Sequence, residues 1–199
     1  MKHQIPNTLT ILRVLVIPVL ILSFFIPGKT ANVVAAALFA FASLTDYFDG
    51  YLARAMEAQS NFGRCLDPIA DKLLVATAIL MLVHFSARDM FITIPGLIIM
   101  CREILVSGLR EYLASSNVAM PVTKLAKWKT AIQMIALILL LLGERGSEYA
   151  LVELFTNDQM LHDTTGSLIT MIGKILFSVA AILTTITGYI YLKIGLKHM

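Results

Sequence analysis

The stretch SLTDYFDGYLARAMEAQSNFGRCLDPIADKLLVA (residues 43–76) places four aspartates, Asp46, Asp49, Asp67 and Asp71, between long apolar segments. The flanking segments consist mainly of Leu, Ile, Val, Ala and Phe and approach the length of about 20 residues that a helix needs to cross a bilayer. Carboxylates are costly in such surroundings, at roughly 2.5–3.5 kcal/mol each near the bilayer centre. The stretch therefore predicts two helices that enter a membrane and a polar site near the membrane surface.

The composition of the 199-residue chain indicates a membrane protein built from helices. Hydrophobic residues make up 58% and charged residues 15% of the sequence, whereas soluble domains are nearer half apolar and a quarter charged. We predict one all-α domain, residues 1–199, that spans the bilayer about six times. The formal net charge of +3 is small. No basic run with interleaved aromatic residues is present, so nucleic acid is not a predicted partner.

Apolar runs and the breaks between them divide the chain into six predicted helices. The expected ranges are 6–25, 31–56, 63–85, 91–115, 124–142 and 168–196. Pro27 and Gly28 end the first of these segments, because proline and glycine together favour a turn. The polar segment 143–166 is predicted to be a solvated loop with a short interfacial helix.

Basic residues are distributed unevenly between the two sets of connections, which predicts the orientation in the membrane. Loops on the cytoplasmic side are enriched in Lys and Arg. With the N-terminus inside, the cytoplasmic end holds most of the basic side chains: Lys2, Arg13, Arg54, Arg64, Arg102, Arg110, Lys124, Lys127, Lys129, Lys193 and Lys197. We therefore predict a multi-pass protein with both termini in the cytoplasm and the aspartates at the cytoplasmic surface.

Helical spacing groups the four aspartates on two facing helix ends. Residues three or four apart share a helix face, which applies to Asp46 with Asp49 and to Asp67 with Asp71. A short connection makes the two helices neighbours, so all four carboxylates are expected to meet. Four such charges repel one another unless cations lie between them, and oxygen ligands suit Mg²⁺ or Mn²⁺. Two such ions, about 3.5–4 Å apart, are a common arrangement for phosphorus chemistry.

Two glycines and an arginine accompany the aspartates. Gly50 lies one turn after Asp46 and Gly63 one turn before Asp67, and glycine allows a ligand or a neighbouring helix to approach the backbone closely. Arg54 follows Asp46 by eight residues, so it can face the same side and neutralise a diphosphate. The set favours binding of a phosphorylated ligand at the membrane surface.

The segment DYFDGYLARAMEAQSNFGRCLDPIAD (46–71) has the pattern D-x₂-D-G-x₂-A-R-x₈-G-x₃-D-x₃-D. This pattern matches in full the signature of the CDP-alcohol phosphatidyltransferase family, which the chain therefore resembles. The matching positions are Asp46, Asp49, Gly50, Ala53, Arg54, Gly63, Asp67 and Asp71. Three further blocks, at 5–13, 101–111 and 125–137, resemble family members whose acceptor is glycerol 3-phosphate, although Ala126 stands where those members usually carry glycine.

The resemblance implies transfer of the phosphatidyl group from CDP-diacylglycerol to sn-glycerol 3-phosphate, which gives phosphatidylglycerophosphate and CMP. The four aspartates would bind two Mg²⁺ or Mn²⁺ ions, and Asp71 would also act as the general base. CDP-diacylglycerol would be bound through Asp46, Asp49, Gly50, Ala53, Arg54 and Gly63. The resemblance further implies a homodimer in the inner membrane of a bacterium.

Basic residues outside the signature provide candidates for an acceptor site. Glycerol 3-phosphate is an anion, and the cations expected near the cytoplasmic ends of the fourth and fifth helices are Arg102, Arg110, Lys127 and Lys129. Predicted ion-pair partners of the two arginines are Glu103 and Glu111. Additional candidate site residues on the first helix are Asn7, Thr10 and Arg13.

Other functions fit the residues less well. The signature determines the donor but leaves the acceptor open, so serine or inositol phosphate is an alternative acceptor. A diphosphate-dependent prenyltransferase also uses paired aspartate sequences and Mg²⁺, but those two sequences lie far apart in the chain. A cation transporter predicts carboxylates near mid-membrane on helices related by repeats, and this sequence contains no such repeat.

Overall fold

The structure, a computed structural model, describes the backbone of residues 4–26, 30–56, 61–86, 89–115, 124–143 and 159–196. Side chains are described for residues 11–26, 31–45, 66–86, 89–114, 125–143 and 168–196. Within these residues the fold consists of six α-helices and contains no strand. The predicted all-α class is confirmed.

The helices are α1 (Gln4–Ser23), α2 (Thr30–Met56), α3 (Asn61–Phe85), α4 (Met90–Ser115), α5 (Lys124–Gly143) and α6 (Gln159–Gly195). The predicted ends agree with these to within two residues, except at the start of α6, which begins at Gln159 instead of residue 168. The predicted start of the sixth helix at residue 168 was therefore wrong. The stretch 159–166 contains no proline, so its polar residues extend the apolar helix by about two turns. The rest of the polar segment, 144–158, lies outside the described residues.

The described helices present apolar side chains to the outside, as expected of a membrane protein. Leu97, Ile104 and Ile182 are 63%, 69% and 60% exposed and belong to a larger set of exposed Leu, Ile and Phe residues. Three helical segments are long and apolar enough to cross a bilayer: Met90–Ala114, Leu125–Gly143 and Leu168–Gly195. Shorter apolar segments are Ile11–Ser23 and Ala31–Thr45. The number of six spans and the orientation of the termini stay predictions.

Helix α6 lies between α4 and α5 and packs most extensively of all the helices, first on α5 and then on α4. Helix α2 packs on α1 and α5, and α1 also packs on α3. A buried apolar cluster extends through all six helices and includes Leu20, Phe39, Leu74, Ile99, Leu140 and Phe177. In a bilayer, close packing and polar contacts hold such helices together, because lipid chains are as apolar as the side chains they would replace.

Contacts between side chains define the directions of the helices. Lys72 of α3 donates a hydrogen bond to Ser107 of α4, and Ile79 of α3 lies against Gly96 of α4, so these two helices are antiparallel neighbours. Helices α5 and α6 are antiparallel as well, because Gly173 lies against Leu140 and Thr170 lies against Gly143. Helices α4 and α6 run in the same direction, because Gly188 lies against Arg102 and Gly195 lies against Leu109. The bundle therefore has an end at which α3 and α5 begin and α2, α4 and α6 finish. We call it the site end.

Asp89 starts α4 at the opposite end of the bundle and links that helix to α6. Its Oδ1 accepts a hydrogen bond of 2.8 Å from the backbone N–H of Phe91, as in a helix N-cap. Its Oδ2 lies 2.7 Å from Lys174 Nζ of α6. The hydrogen bond from Lys174 is the main cause that lowers the pKa of Asp89 below its ordinary value; burial opposes this shift, and the Phe91 N–H adds to it.

We expect Asp89→Asn to lower the free energy of unfolding by roughly 1 kcal/mol at pH 7, because it removes the charge but keeps an N-cap oxygen. A depressed carboxylate pKa contributes stability above the unfolded pKa and loses it as the pH falls through the folded pKa. The difference between wild type and Asp89→Asn should therefore be constant from about pH 5 to 8 and shrink below about pH 4. Thermal unfolding in detergent micelles measures both.

The variant Asp89→Ala serves as the matched control for capping. It should lose a further ~1 kcal/mol, since alanine cannot accept the Phe91 hydrogen bond. A wild-type advantage over Asp89→Asn that already disappears near pH 6 would show that the carboxylate is not held in its charged form by Lys174.

Candidate active site

A large cavity opens at the site end of the bundle. Its volume is about 1650 Å³, and its described walls come from α2, α3, α4, α5 and α6. The charged side chains that line it are Asp71, Lys72, Arg102, Glu103, Arg110, Glu111, Lys127 and Lys129. Five of these are basic and three are acidic, so the described lining carries a net positive charge that favours an anionic ligand.

One flank of the cavity is apolar and open to the outside of the bundle. Phe41 and Leu44 of α2 line it together with Ile69 and Leu73 of α3, and each of these side chains is about half exposed. Met134 of α5 belongs to the same lining. A cavity that combines charged residues with an exposed apolar flank suits an amphipathic ligand whose apolar part lies in lipid.

The structure places Asp71 in the lining of the cavity and Asp67 one turn before it on α3. Both side chains are half-buried. Helix α2 continues through positions 46 and 49, but the side chains of Asp46 and Asp49 lie outside the described ones. The side chains of Ala53 and Arg54, and the surroundings of Gly50 and Gly63, likewise lie outside the described part. The meeting of all four carboxylates stays a prediction.

The donor chemistry of α3 fits a divalent cation. Asp67 and Asp71 offer carboxylate oxygens one helical turn apart, and no Cys or His belongs to the described lining of the cavity. Hard ions such as Mg²⁺ and Mn²⁺ prefer these oxygen ligands. Among the described side chains no group of three or more potential metal ligands occurs, and the side chains of Asp46 and Asp49 do not belong to the described ones.

The four basic residues predicted to bind an acceptor lie on the wall of this cavity. Arg102 and Arg110 come from α4, whereas Lys127 and Lys129 come from the first two turns of α5. Both helices pack on α6, which brings residues from separate parts of the sequence to one surface. Their common position is observed, and their binding of an anion stays a prediction.

Glu103 pairs with two of these cations. Its Oε1 atom contacts Lys129 Nζ and lies 3.3 Å from Arg102 Nη1. Lys129 is 4% exposed, and a charge this deeply buried needs a partner of opposite sign. The predicted ion pair of Glu103 with Arg102 is confirmed, and Lys129 is an additional partner that the sequence did not indicate.

Arg102 is held on its other side by α6. Its Nη2 atom donates a hydrogen bond of 3.2 Å to Thr187 Oγ1, and its guanidinium carbon lies 5.5 Å from the centre of the Tyr191 ring. The backbone of α6 approaches this closely because residue 188 is glycine. A Cβ at Gly188 would lie 3.0 Å from Arg102 Cγ.

The first helix contributes one described candidate, Arg13. Its side chain is 1% exposed and belongs to a helix that packs on α2 and α3, but it is not part of the described lining of the cavity. The side chains of Asn7 and Thr10 lie outside the part of the chain for which side chains are described. A role of these three residues in the site stays a prediction.

Sequence reasoning missed several residues of the cavity lining, among them Lys72, Ser107 and Tyr191. Lys72 directly follows a signature aspartate, and this position was a signal that sequence reasoning could have used. Tyr191 lies in α6, far along the chain from the signature, and an aromatic residue near a helix end usually indicates an interfacial anchor. Only the packing of α6 on α4 brings its ring to the arginines.

Comparison with known proteins identifies relatives over nearly the whole chain. The family model described as CDP-alcohol phosphatidyltransferase matches residues 3–186. A Rickettsia bellii protein named CDP-diacylglycerol–glycerol-3-phosphate 3-phosphatidyltransferase is 46% identical over 196 residues, which cover 98% of this chain and 97% of the relative. A Cereibacter sphaeroides protein of the same name is 38% identical over 218 residues, with coverage of 100% and 98%. A Pseudomonas fluorescens protein of that name is 46% identical over 141 residues, with coverage of 69% and 72%.

The ion pair at Glu103 leads to a prediction about stability. Glu103→Ala leaves the Lys129 ammonium buried without this carboxylate, so we expect a loss of about 3 kcal/mol in the free energy of unfolding. The double variant Glu103→Ala/Lys129→Met should recover most of the loss, because it removes the buried charge as well. Thermal unfolding of the purified variants in detergent measures the effect.

The matched control is Glu111→Ala, which removes an exposed carboxylate from the same helix and the same cavity. Its effect should stay within about 0.5 kcal/mol. Equal losses in Glu103→Ala and in the double variant would mean that the buried ammonium is not the cause of the instability.

Proposed function

The chain belongs to the CDP-alcohol phosphatidyltransferase family, and we propose that it transfers the phosphatidyl group of CDP-diacylglycerol to sn-glycerol 3-phosphate, which yields phosphatidylglycerophosphate and CMP. The observation that carries this proposal is that Asp71 lines the same cavity as a group of basic residues. The transfer requires a carboxylate that accepts a proton and cations that bind phosphate. The names of the Rickettsia and Cereibacter relatives state this reaction.

The proposed reaction is a displacement at phosphorus. The acceptor hydroxyl forms a new bond to the phosphorus that carries diacylglycerol, the bond from this phosphorus to an oxygen of CMP breaks, and CMP leaves as a phosphate monoester. The hydroxyl proton passes to the carboxylate of Asp71. For this transfer the carboxylate has to lie within about 2.6–3.2 Å of the attacking oxygen in the substrate complex.

We assign the four signature aspartates as ligands of two Mg²⁺ or Mn²⁺ ions: Asp46, Asp49, Asp67 and Asp71. When bound, these ions would supply positive charge that stabilises the diphosphate oxygens as the transfer proceeds. The chain contributes oxygen ligands on two neighbouring helices, α2 and α3. We assign Arg54 to the same diphosphate, and Gly50, Ala53 and Gly63 to the close approach of the nucleotide.

The cavity has features that suit both substrates. Its exposed apolar flank, at Phe41, Leu44 and Ile69, is suited to the acyl chains of a lipid that stays in the bilayer. The basic wall is suited to the phosphate of the acceptor. One arginine side chain can bind two phosphate oxygens at the same time, which a lysine side chain does less well. We therefore assign Arg102 and Arg110, with Lys127 and Lys129, to the acceptor phosphate.

We also propose a location and an assembly. The excess of basic residues at the site end supports a cytoplasmic position of this end, with both termini in the cytoplasm, in the inner membrane of a bacterium. The soluble phosphorylated acceptor would then reach the cavity from the cytoplasm, whereas the lipid donor would reach it from the bilayer. A homodimer is proposed from the family resemblance.

The acceptor is tested by incubating the purified protein with CDP-diacylglycerol and one acceptor at a time while CMP release is followed. We expect release with sn-glycerol 3-phosphate. Arg110→Ala should raise the KM for glycerol 3-phosphate roughly 10- to 150-fold, because one charge-assisted hydrogen bond is lost. The KM for CDP-diacylglycerol should change little, and Arg110→Lys should recover only part of the loss.

The control for this series is Lys193→Ala, an exposed cation in the last turn of α6. It should leave both KM values nearly unchanged. Release of CMP with serine or inositol phosphate but not with glycerol 3-phosphate would identify a different acceptor within the family. If the KM for glycerol 3-phosphate is unchanged in both Arg110→Ala and Arg102→Ala, the basic residues do not bind the acceptor and only influence the orientation of the protein in the membrane.

The roles of the carboxylates are tested by Asp71→Asn and by chelation. Asp71→Asn should lower turnover by at least about 100-fold, while CDP-diacylglycerol still binds measurably. EDTA should abolish the activity, and added Mg²⁺ or Mn²⁺ should restore it. Turnover near the wild-type level in Asp71→Asn would remove this residue from the mechanism, and activity that survives thorough chelation would contradict the metal assignment.

A further inference from the structure

The ring of Tyr191 lies close to both arginines of the cavity wall. The guanidinium carbon of Arg102 is 5.5 Å from the ring centre, and that of Arg110 is 5.4 Å from it. Both distances fall within the ~6 Å at which a ring face attracts a cation. The two arginines are eight residues apart on α4, about 12 Å along the helix axis, so one ring from α6 bridges side chains two turns apart.

The position of this ring is determined by its packing. Tyr191 is 1% exposed and forms a buried cluster with Val106, Leu109 and Leu113 of α4. A side chain packed in this way has few other rotamers available. The ring is therefore a rigid part of the cavity wall, against which the more mobile side chains of the two arginines can pack.

The two arginines need such a rigid surface, because their charges repel each other and their side chains have many rotamers in water. Arg102 is also held by Glu103, at 3.3 Å, and by Thr187, at 3.2 Å. Arg110 is exposed. Its contact with the Tyr191 ring therefore has a larger effect on its orientation than the same contact has for Arg102. The negative face of the Tyr191 ring attracts both guanidinium groups and offsets part of their repulsion.

We propose that Tyr191 is a positioning residue that holds the guanidinium groups of Arg102 and Arg110 together as one subsite for the phosphate monoester of the acceptor. This inference rests on the proposed function, since it concerns the acceptor of that reaction. Tyr191 acts through the two arginines. Two guanidinium groups at set positions bind several oxygens of a dianionic phosphate without first losing rotamer freedom. The subsite thereby selects a phosphorylated acceptor over an uncharged alcohol.

The test compares the steady-state kinetics of Tyr191→Leu and Tyr191→Phe with those of the wild type. Tyr191→Leu removes the ring face, so we expect the KM for glycerol 3-phosphate to rise about 5- to 30-fold. The KM for CDP-diacylglycerol should stay within about 2-fold, because the donor does not depend on this subsite. Tyr191→Phe keeps the ring face and should restore the KM for glycerol 3-phosphate to within about 3-fold of the wild type.

A second measurement keeps the shape of the side chain constant. Phenylalanine with an increasing number of ring fluorines, introduced at position 191, weakens the attraction of the ring for cations with almost no change in packing. The KM for glycerol 3-phosphate should rise stepwise along this series. This series decides the question if Tyr191→Leu does not fold, and a KM that stays flat along it would overturn the proposal.

The matched control is Tyr189→Leu on the same helix. Tyr189 is 67% exposed and is absent from the described lining of the cavity, so both KM values should stay at the wild-type level. Equal rises in the two KM values of Tyr191→Leu, or no rescue by Tyr191→Phe, would contradict a positioning role. A wild-type protein that releases no CMP with glycerol 3-phosphate would contradict the proposed function instead, so the two failures are distinguishable.

Discussion

Charged groups inside an apolar bundle need partners of opposite charge, and the contact of Glu103 with Lys129 and Arg102 meets this need at the wall of the cavity. The three residues come from α4 and α5, two helices that both pack on α6. Because Lys129 is buried, the carboxylate and the ammonium depend on each other. Their pairing joins the helices that carry the basic wall, so the same contact contributes to the fold and to the charge of the site.

Different helices contribute different residues to the site. Helix α3 carries Asp67 and Asp71, and α4 and α5 carry the cations. Helix α6 contributes no signature residue, yet Thr187, Gly188 and Tyr191 contact or closely approach Arg102. Because α6 packs on both α4 and α5, it sets where their side chains lie relative to the cavity. A helix outside the signature therefore contributes to the cavity wall to which the proposed acceptor site belongs.

Sequence reasoning was accurate where one physical cause dominates. Long apolar runs interrupted by Pro, Gly and polar residues located the helix ends, because a bilayer demands uninterrupted apolar helices. It was wrong at the start of α6, where polar residues 159–166 continue the helix and hydropathy gives no signal. The signature indicated the family, which the family match confirmed. The basic residues were identified by their bias towards one end, and Arg102, Arg110, Lys127 and Lys129 all line one cavity. Their binding of the acceptor stays a prediction.

The sequence by itself determined the class of the fold, the family and the identity of the signature carboxylates, since each depends on composition or on spacing along one helix or two adjacent ones. The tertiary structure alone decided which residues from distant helices share the cavity. The pairing of Glu103 with Lys129 and the contacts of Tyr191 with two arginines depend on how α4, α5 and α6 pack. Such contacts join residues that are 26 or more positions apart in the sequence. The sequence near each residue is the same whether or not the contact forms, so it does not indicate the contact.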